Sequence, residues 1–134
     1  MWIFTRYGFF SIACANKPQS NEIDVDTVMV RARDKRQLLN LQERFKKIGI
    51  AEFAVECSDY ADYRYRLIMP KDLWVQALSE MAKEQTWRNF KNEASLFEQA
   101  HNLSRRYVDA LHEIWNIMHR LQVREGEAAH HKER

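Results

Sequence analysis

Little in this chain bends, kinks or cross-links. Of its 134 residues only 3 are glycine, 2 proline and 2 cysteine. With so few glycines there is no glycine-rich loop to cradle a nucleotide phosphate and no nucleophile elbow. Cys14 and Cys57 stand far apart without paired-cysteine spacing, so neither a disulfide framework nor a zinc motif is written in the sequence. Charge of one sign is lacking too: 21 Lys+Arg face 19 Asp+Glu, a formal +2, and no global field draws the protein to nucleic acid or anionic lipid. Long apolar runs are absent, and no stretch is long enough to span a bilayer. What the chain has is 46% hydrophobic and 12% aromatic residues, the composition of a folded globule with a core of its own.

The period of that apolar content changes near residue 70. Before it, short β-branched and aromatic runs alternate; after it, apolar residues recur at helical spacing. Trp2-Ile3-Phe4-Thr5 and Phe9 to Ala13 flank Arg6-Tyr7-Gly8 and read as a hairpin. Asn16 to Asp24 is a polar loop, and Val25 to Arg33 a strand with Val28, Val30 and Ala32 on one face and Met29, Arg31 and Arg33 on the other. Asp34 caps a helix, with Gln37 as its capping-box partner, carrying Leu38, Leu41, Phe45 and Ile48 to Gly49. Ala51 to Cys57 and Tyr63 to Met69 alternate as a second hairpin, and Pro70 and Asp72 open a helix to about Gln85. After a connection over Thr86 to Asn92, one long helix is expected from Ser95, with Glu98 as its capping partner, to about Gln122. Residues 124–134, without a strong apolar pattern, are expected to be a flexible polar tail.

The fold expectation is therefore α+β in a single domain over residues 1–123. An antiparallel sheet would be built on a ferredoxin-like βαββα core, with the N-terminal β-hairpin replacing the missing closing strand and a long C-terminal helix following. Tyr7 to Ala13 precedes Cys14 much as a lipoprotein signal would, but it is short and carries serine where leucine is favoured. The expected location is the cytoplasm, with both cysteines as buried free thiols on inward-facing strand positions.

The segments Met1-Trp2-Ile3-Phe4-Thr5, Gly8-Phe9-Phe10-Ser11, Val30-Arg31-Ala32-Arg33, Asp62-Tyr63-Arg64-Tyr65-Arg66 and Asn89-Phe90-Lys91 together resemble a family of small uncharacterised bacterial proteins, over roughly residues 1–122. The resemblance implies a bacterial or phage origin and one domain. It brings no activity and no functional residue with it.

Four surfaces deserve a chemical reading. Arg31, Arg33, Arg64 and Arg66 share the outer sheet face, as in RNA-binding domains of this topology, where sheet aromatics stack bases and arginines hold phosphate. Alternation, however, sends Tyr63 and Tyr65 to the opposite face. Simple pairing sets Glu56 against Arg64, so Glu52 and Glu56 are expected to neutralise the arginines. Glu98-x-x-His101 and Asp109-x-x-His112 have the spacing of di-iron ligands, yet on one helix they stand about 16 Å apart and share no metal. The loop holding Asp59, Tyr60 and Asp62 is acidic as turns are, and is the one place where carboxylate catalysis could sit. The connection with Trp87, Arg88 and Phe90 combines residue types that anchor interfaces.

The last helix gives the strongest interaction signal. Val108, Leu111, Trp115 and Met118 continue one seven-residue seam from Phe97, and Leu103, Tyr107, Ala110, Ile114, Ile117 and Leu121 form a second beside it. Two seams exceed what one contact needs, so one either wedges between sheet and helix or meets another chain. The leading expectation is a non-enzymatic protein-binding or regulatory protein that self-associates, with no catalytic residue, metal, cofactor or membrane contact. Nucleic-acid binding by the arginine face comes second, and an enzyme using the Asp59 to Asp62 loop third.

Overall fold

The computed structural model describes residues 1–132, with side chains described as far as Val123. The protein is α+β, with a five-stranded antiparallel sheet and four helices among the described residues. It divides into two compact units, Met1–Arg88 and Asn89–Arg134. The expectation of one domain through residue 123 placed no boundary at Arg88.

In the first unit, β1 (Trp2–Thr5), β2 (Gly8–Asn16), β3 (Ile23–Ala32), α1 (Lys35–Lys47), β4 (Glu56–Cys57), β5 (Tyr65–Pro70) and α2 (Lys71–Lys83) form a sheet in the order β1-β2-β3-β5-β4. Alternation gives the sheet one apolar face. Phe10, Val30, Ala32 and Leu67 are wholly buried there, and Ile12, Val28 and Met69 nearly so. Against this face α1 presents Leu38, Leu41 and Phe45, each wholly buried, and α2 presents Trp74, Ala77 and Met81. At about 25 cal/mol per Å² of apolar surface, burial of such side chains is what holds the unit together.

The β1–β2 turn needs a glycine for space as well as for its positive φ of 152°. A Cβ at Gly8 would lie 2.5 Å from the side chain of Gln37. Gln37 is placed there because its Oε1 accepts from the Phe9 N–H at 3.1 Å. The capping box expected at α1 is therefore only half made: Asp34 caps Arg36 N–H at 2.9 Å, while Gln37 ties the helix to the hairpin. Gly49, at φ 81°, follows the end of α1 as expected.

The strand expected over Ala51 to Cys57 shrinks to Glu56–Cys57. Upstream of it, the Phe53 N–H finds Oε1 of Gln42 at 2.7 Å, so a buried side chain of α1 takes the role of a sheet partner. Cys57 is exposed and Cys14 only half-buried, against the expectation of two buried thiols; both are free.

The second unit corrects the expectation of one long helix. Helix α3 (Phe90–Ala100) starts within the expected connection, capped by Asn89, whose side chain accepts from Asn92 N–H at 3.1 Å. Ser95 lies inside it. The chain then turns at Asn102, with φ 53°, a conformation asparagine tolerates better than most residues, and α4 runs Arg106–Lys132. Its backbone passes Gln122, where the sequence pattern fades; the last two residues of the expected tail lie outside the described residues. Ala94, Val108 and Leu111 are buried together, with Phe90 and Tyr107 packed against them.

Candidate nucleic-acid interface

The uncovered face of the sheet is built by the residues that alternate with the core. Register carries one row straight across it: Trp2 opposite Ser11, Ser11 opposite Arg31, Arg31 opposite Arg66, and Arg66 opposite Glu56. Beside this row Phe4 pairs with Phe9. At about 4.8 Å per strand, Trp2 and Arg66 end up roughly 14 Å apart, with aromatic rings at one end and guanidinium groups at the other.

The aromatic end is continuous. Phe4 stacks on Phe9 at 4.7 Å between ring centroids, Trp2 meets Phe9 edge-on at 5.8 Å, and Phe9 lies 6.4 Å from Tyr63. Trp2 is 72% exposed and Phe4 36%, so the edge strand offers ring surface to solvent.

The cationic end departs from expectation at Tyr63. Strand β5 begins only at Tyr65, so alternation does not govern Tyr63. Its buried ring lies under Arg31 and Arg33, whose guanidinium carbons sit 4.9 and 4.1 Å from its centroid. Such stacking fixes the arginines while leaving donors to spare. Arg31 also donates to Ser11 Oγ at 2.8 Å, and Arg66 to the Tyr63 carbonyl at 3.3 Å.

The expected neutralisation by Glu52 and Glu56 is replaced by another. Glu52 pairs with Lys46 at 3.6 Å, and register sets Glu56 against Arg66 rather than Arg64, with no ion pair formed among the described residues. The carboxylates come instead from the β4–β5 loop: Asp62 reaches Arg33 at 3.3 Å, and Asp59 reaches Arg64 at 2.7 Å. The hydrogen bonds that Arg64 donates to Asp59 raise the Arg64 pKa above its ordinary value. Arg31 and Arg66 have no ion-pair carboxylate among the described residues. With Asp59 and Asp62 exposed and both engaged, and Tyr60 fully exposed, the loop presents no assembled acid–base pair.

The remaining expected sites disperse. Trp87 lies in the first unit beside Arg6, whose guanidinium is 5.4 Å from its ring, whereas Phe90 packs on the core of the second and Arg88 is exposed. Val108 and Leu111 are buried, while Trp115 and Met118 are 50% and 59% exposed, so the expected seam is divided between a core and a surface. Lys91 covers part of that surface, with Nζ 4.8 Å from the Trp115 ring centroid. Glu98 lies in α3 and His101 caps its C-terminal end, while Asp109 and His112 belong to α4. Glu98 is buried, its pKa raised by desolvation, whereas His101 turns outward and stacks on Phe97 at 4.0 Å. Among the described residues no three His, Cys, Asp or Glu side chains form a metal-binding group.

One cluster carried no recognised motif. Glu84, just past α2, accepts from the Tyr7 hydroxyl at 2.6 Å and faces Arg44 at 2.6 Å and Arg6 at 3.4 Å. Burial and the Glu84 hydrogen bond push Tyr7 up to a pKa of about 12. This cluster clamps the β1–β2 turn to both helices.

No described helix is long and apolar enough to cross a membrane. Compared with protein-family models, curated proteins and solved structures, the chain matches none.

Proposed function

We propose that the protein binds single-stranded nucleic acid on the open face of its sheet. The observation that carries this reading is the shared face of exposed Trp2 and Phe4 with Arg31 and Arg66, which lack carboxylate partners among the described residues. Exposed rings stack bases of any sequence, each stack being worth about 1–3 kcal/mol, and guanidinium groups hold phosphates. A duplex hides its base faces and cannot use the rings, so single strands are preferred. In this reading β3-α1-β4-β5-α2 is a ferredoxin-like unit whose closing strand is replaced by β2, acting in a reducing cytoplasm where Cys14 and Cys57 remain thiols. Fluorescence anisotropy with labelled single- and double-stranded oligonucleotides tests it. Trp2→Ala and Arg31→Ala/Arg66→Ala should each weaken single-strand binding at least tenfold while leaving the circular dichroism unchanged. Equal binding by wild type and both variants contradicts the proposal.

A second reading rests on a different observation. Trp115, Ile117, Met118 and Leu121 are each at least half exposed on α4, an apolar stripe that suits contact with a protein, including a second copy of the chain. Light scattering on wild type and Trp115→Glu tests it: a wild-type dimer that becomes a folded monomer supports this reading, and a monomeric wild type removes self-association from it.

A further inference from the structure

Resting on the nucleic-acid reading, we infer that the sheet face engages two phosphates rather than four, because the β4–β5 loop holds half of its arginines in internal ion pairs. Four arginines lie on or beside this face, but they form two classes. Arg31 and Arg66 face each other across β3 and β5 and donate to neutral oxygens, of Ser11 and of the Tyr63 carbonyl; Glu56 stands opposite Arg66 on β4 without forming an ion pair to it among the described residues. Arg33 and Arg64 are instead paired with Asp62 and Asp59, and these two carboxylates come from one short loop. A phosphate approaching Arg33 or Arg64 meets a carboxylate a few ångströms away. The local charge is then close to zero, and contact there neutralises no phosphate and releases no counterion.

This assigns the loop a function: Asp59 and Asp62 limit electrostatic affinity, so the aromatic end of the face decides what stays bound. A non-specific polyanion would gain most from four free arginines, whereas a stacked single strand needs fewer.

The dependence of binding on salt counts the phosphates. For single strands, log K falls with log salt at about 0.7 per phosphate neutralised, so two contacts give a slope of about −1.4 and four about −2.8. Binding of an eight-nucleotide oligouridylate should be followed across a salt series for wild type, Asp62→Asn and Asp59→Asn/Asp62→Asn. Both aspartates are exposed, and circular dichroism should show all three proteins folded. The expected slopes are about −1.4, −2.1 and −2.8, with tighter binding at low salt in the variants. A wild-type slope near −2.8 (~0.7 for each of four phosphates), unchanged in the variants, overturns this inference while leaving nucleic-acid binding standing. Failure of wild type and both variants to bind the oligonucleotide, or any mixed-sequence single strand, overturns the reading beneath it as well.

Discussion

The two units meet the same problem, an apolar face in water, with very different means. In Met1–Arg88 a sheet and two helices bury a dozen apolar side chains on one side, so the other side is free to carry rings and cations. In Asn89–Arg134 a helix hairpin buries Ala94, Val108 and Leu111 with support from Phe90 and Tyr107, and leaves Trp115, Ile117 and Met118 outside. A deep core lets a surface be specialised. A shallow one leaves apolar residues exposed for want of cover, so exposure is a stronger functional signal on the sheet than on α4.

The largest effect should come from the deep core. Phe45 is wholly buried on α1, the helix packed against β2, β3 and β5, so Phe45→Ala should cost about 4 kcal/mol in chemical denaturation. Leu111→Ala should cost roughly 2 kcal/mol, because its site is rimmed by half-buried groups able to close in. Equal losses would erase the distinction between the two cores.

Next in size is the clamp at the hairpin turn. Glu84→Gln leaves Arg6 and Arg44 side by side without their shared carboxylate and should cost about 2 kcal/mol, less than a fully buried pair would because both arginines are partly exposed. The clamp also has a pH signature. Tyr7 has a pKa of about 12 in the folded protein against an ordinary 10.0. Between these values the unfolded chain has lost the proton that the folded one retains, so stability is complete below about pH 10 and falls as pH rises toward 12. Tyr7→Phe should show a flatter alkaline limb than wild type; identical limbs would contradict the clamp.

The smallest effect is expected at Trp115. With half its surface already in water, Trp115→Glu should change the melting free energy by no more than about 0.5 kcal/mol. Unfolding of this variant would mean that α4 depends on Trp115 far more than its exposure indicates.

Most of the sheet and both of its packed helices were legible because alternation and helical spacing hold over residues 25–49 and 65–83, where most inward positions are apolar, Asn40 and Gln42 on α1 excepted, and Asp34, Gly49 and Pro70 mark helix ends. The break between α3 and α4 was not legible: no glycine or proline marks it, and the chain turns there at Asn102 with a positive φ while Ala94 packs with Val108 and Leu111. Nor was the pairing of Arg33 and Arg64 with Asp62 and Asp59, which depends on a loop whose path alternation does not control. The aromatic end of the site, by contrast, was available from the sequence. If Phe10 and Ile12 face the core, Phe9 and Ser11 must face away, and hairpin register brings Phe4 and Trp2 to the same side.

The central claim is that ligand meets the sheet and not α4. Amide chemical-shift mapping of the ¹⁵N-labelled protein during titration with a single-stranded oligonucleotide tests it directly. Perturbations are expected to concentrate on Trp2, Phe4, Phe9, Ser11, Arg31 and Arg66, with α4 unchanged. Shifts confined to Trp115 and its neighbours on α4, or none at saturating oligonucleotide, would contradict it.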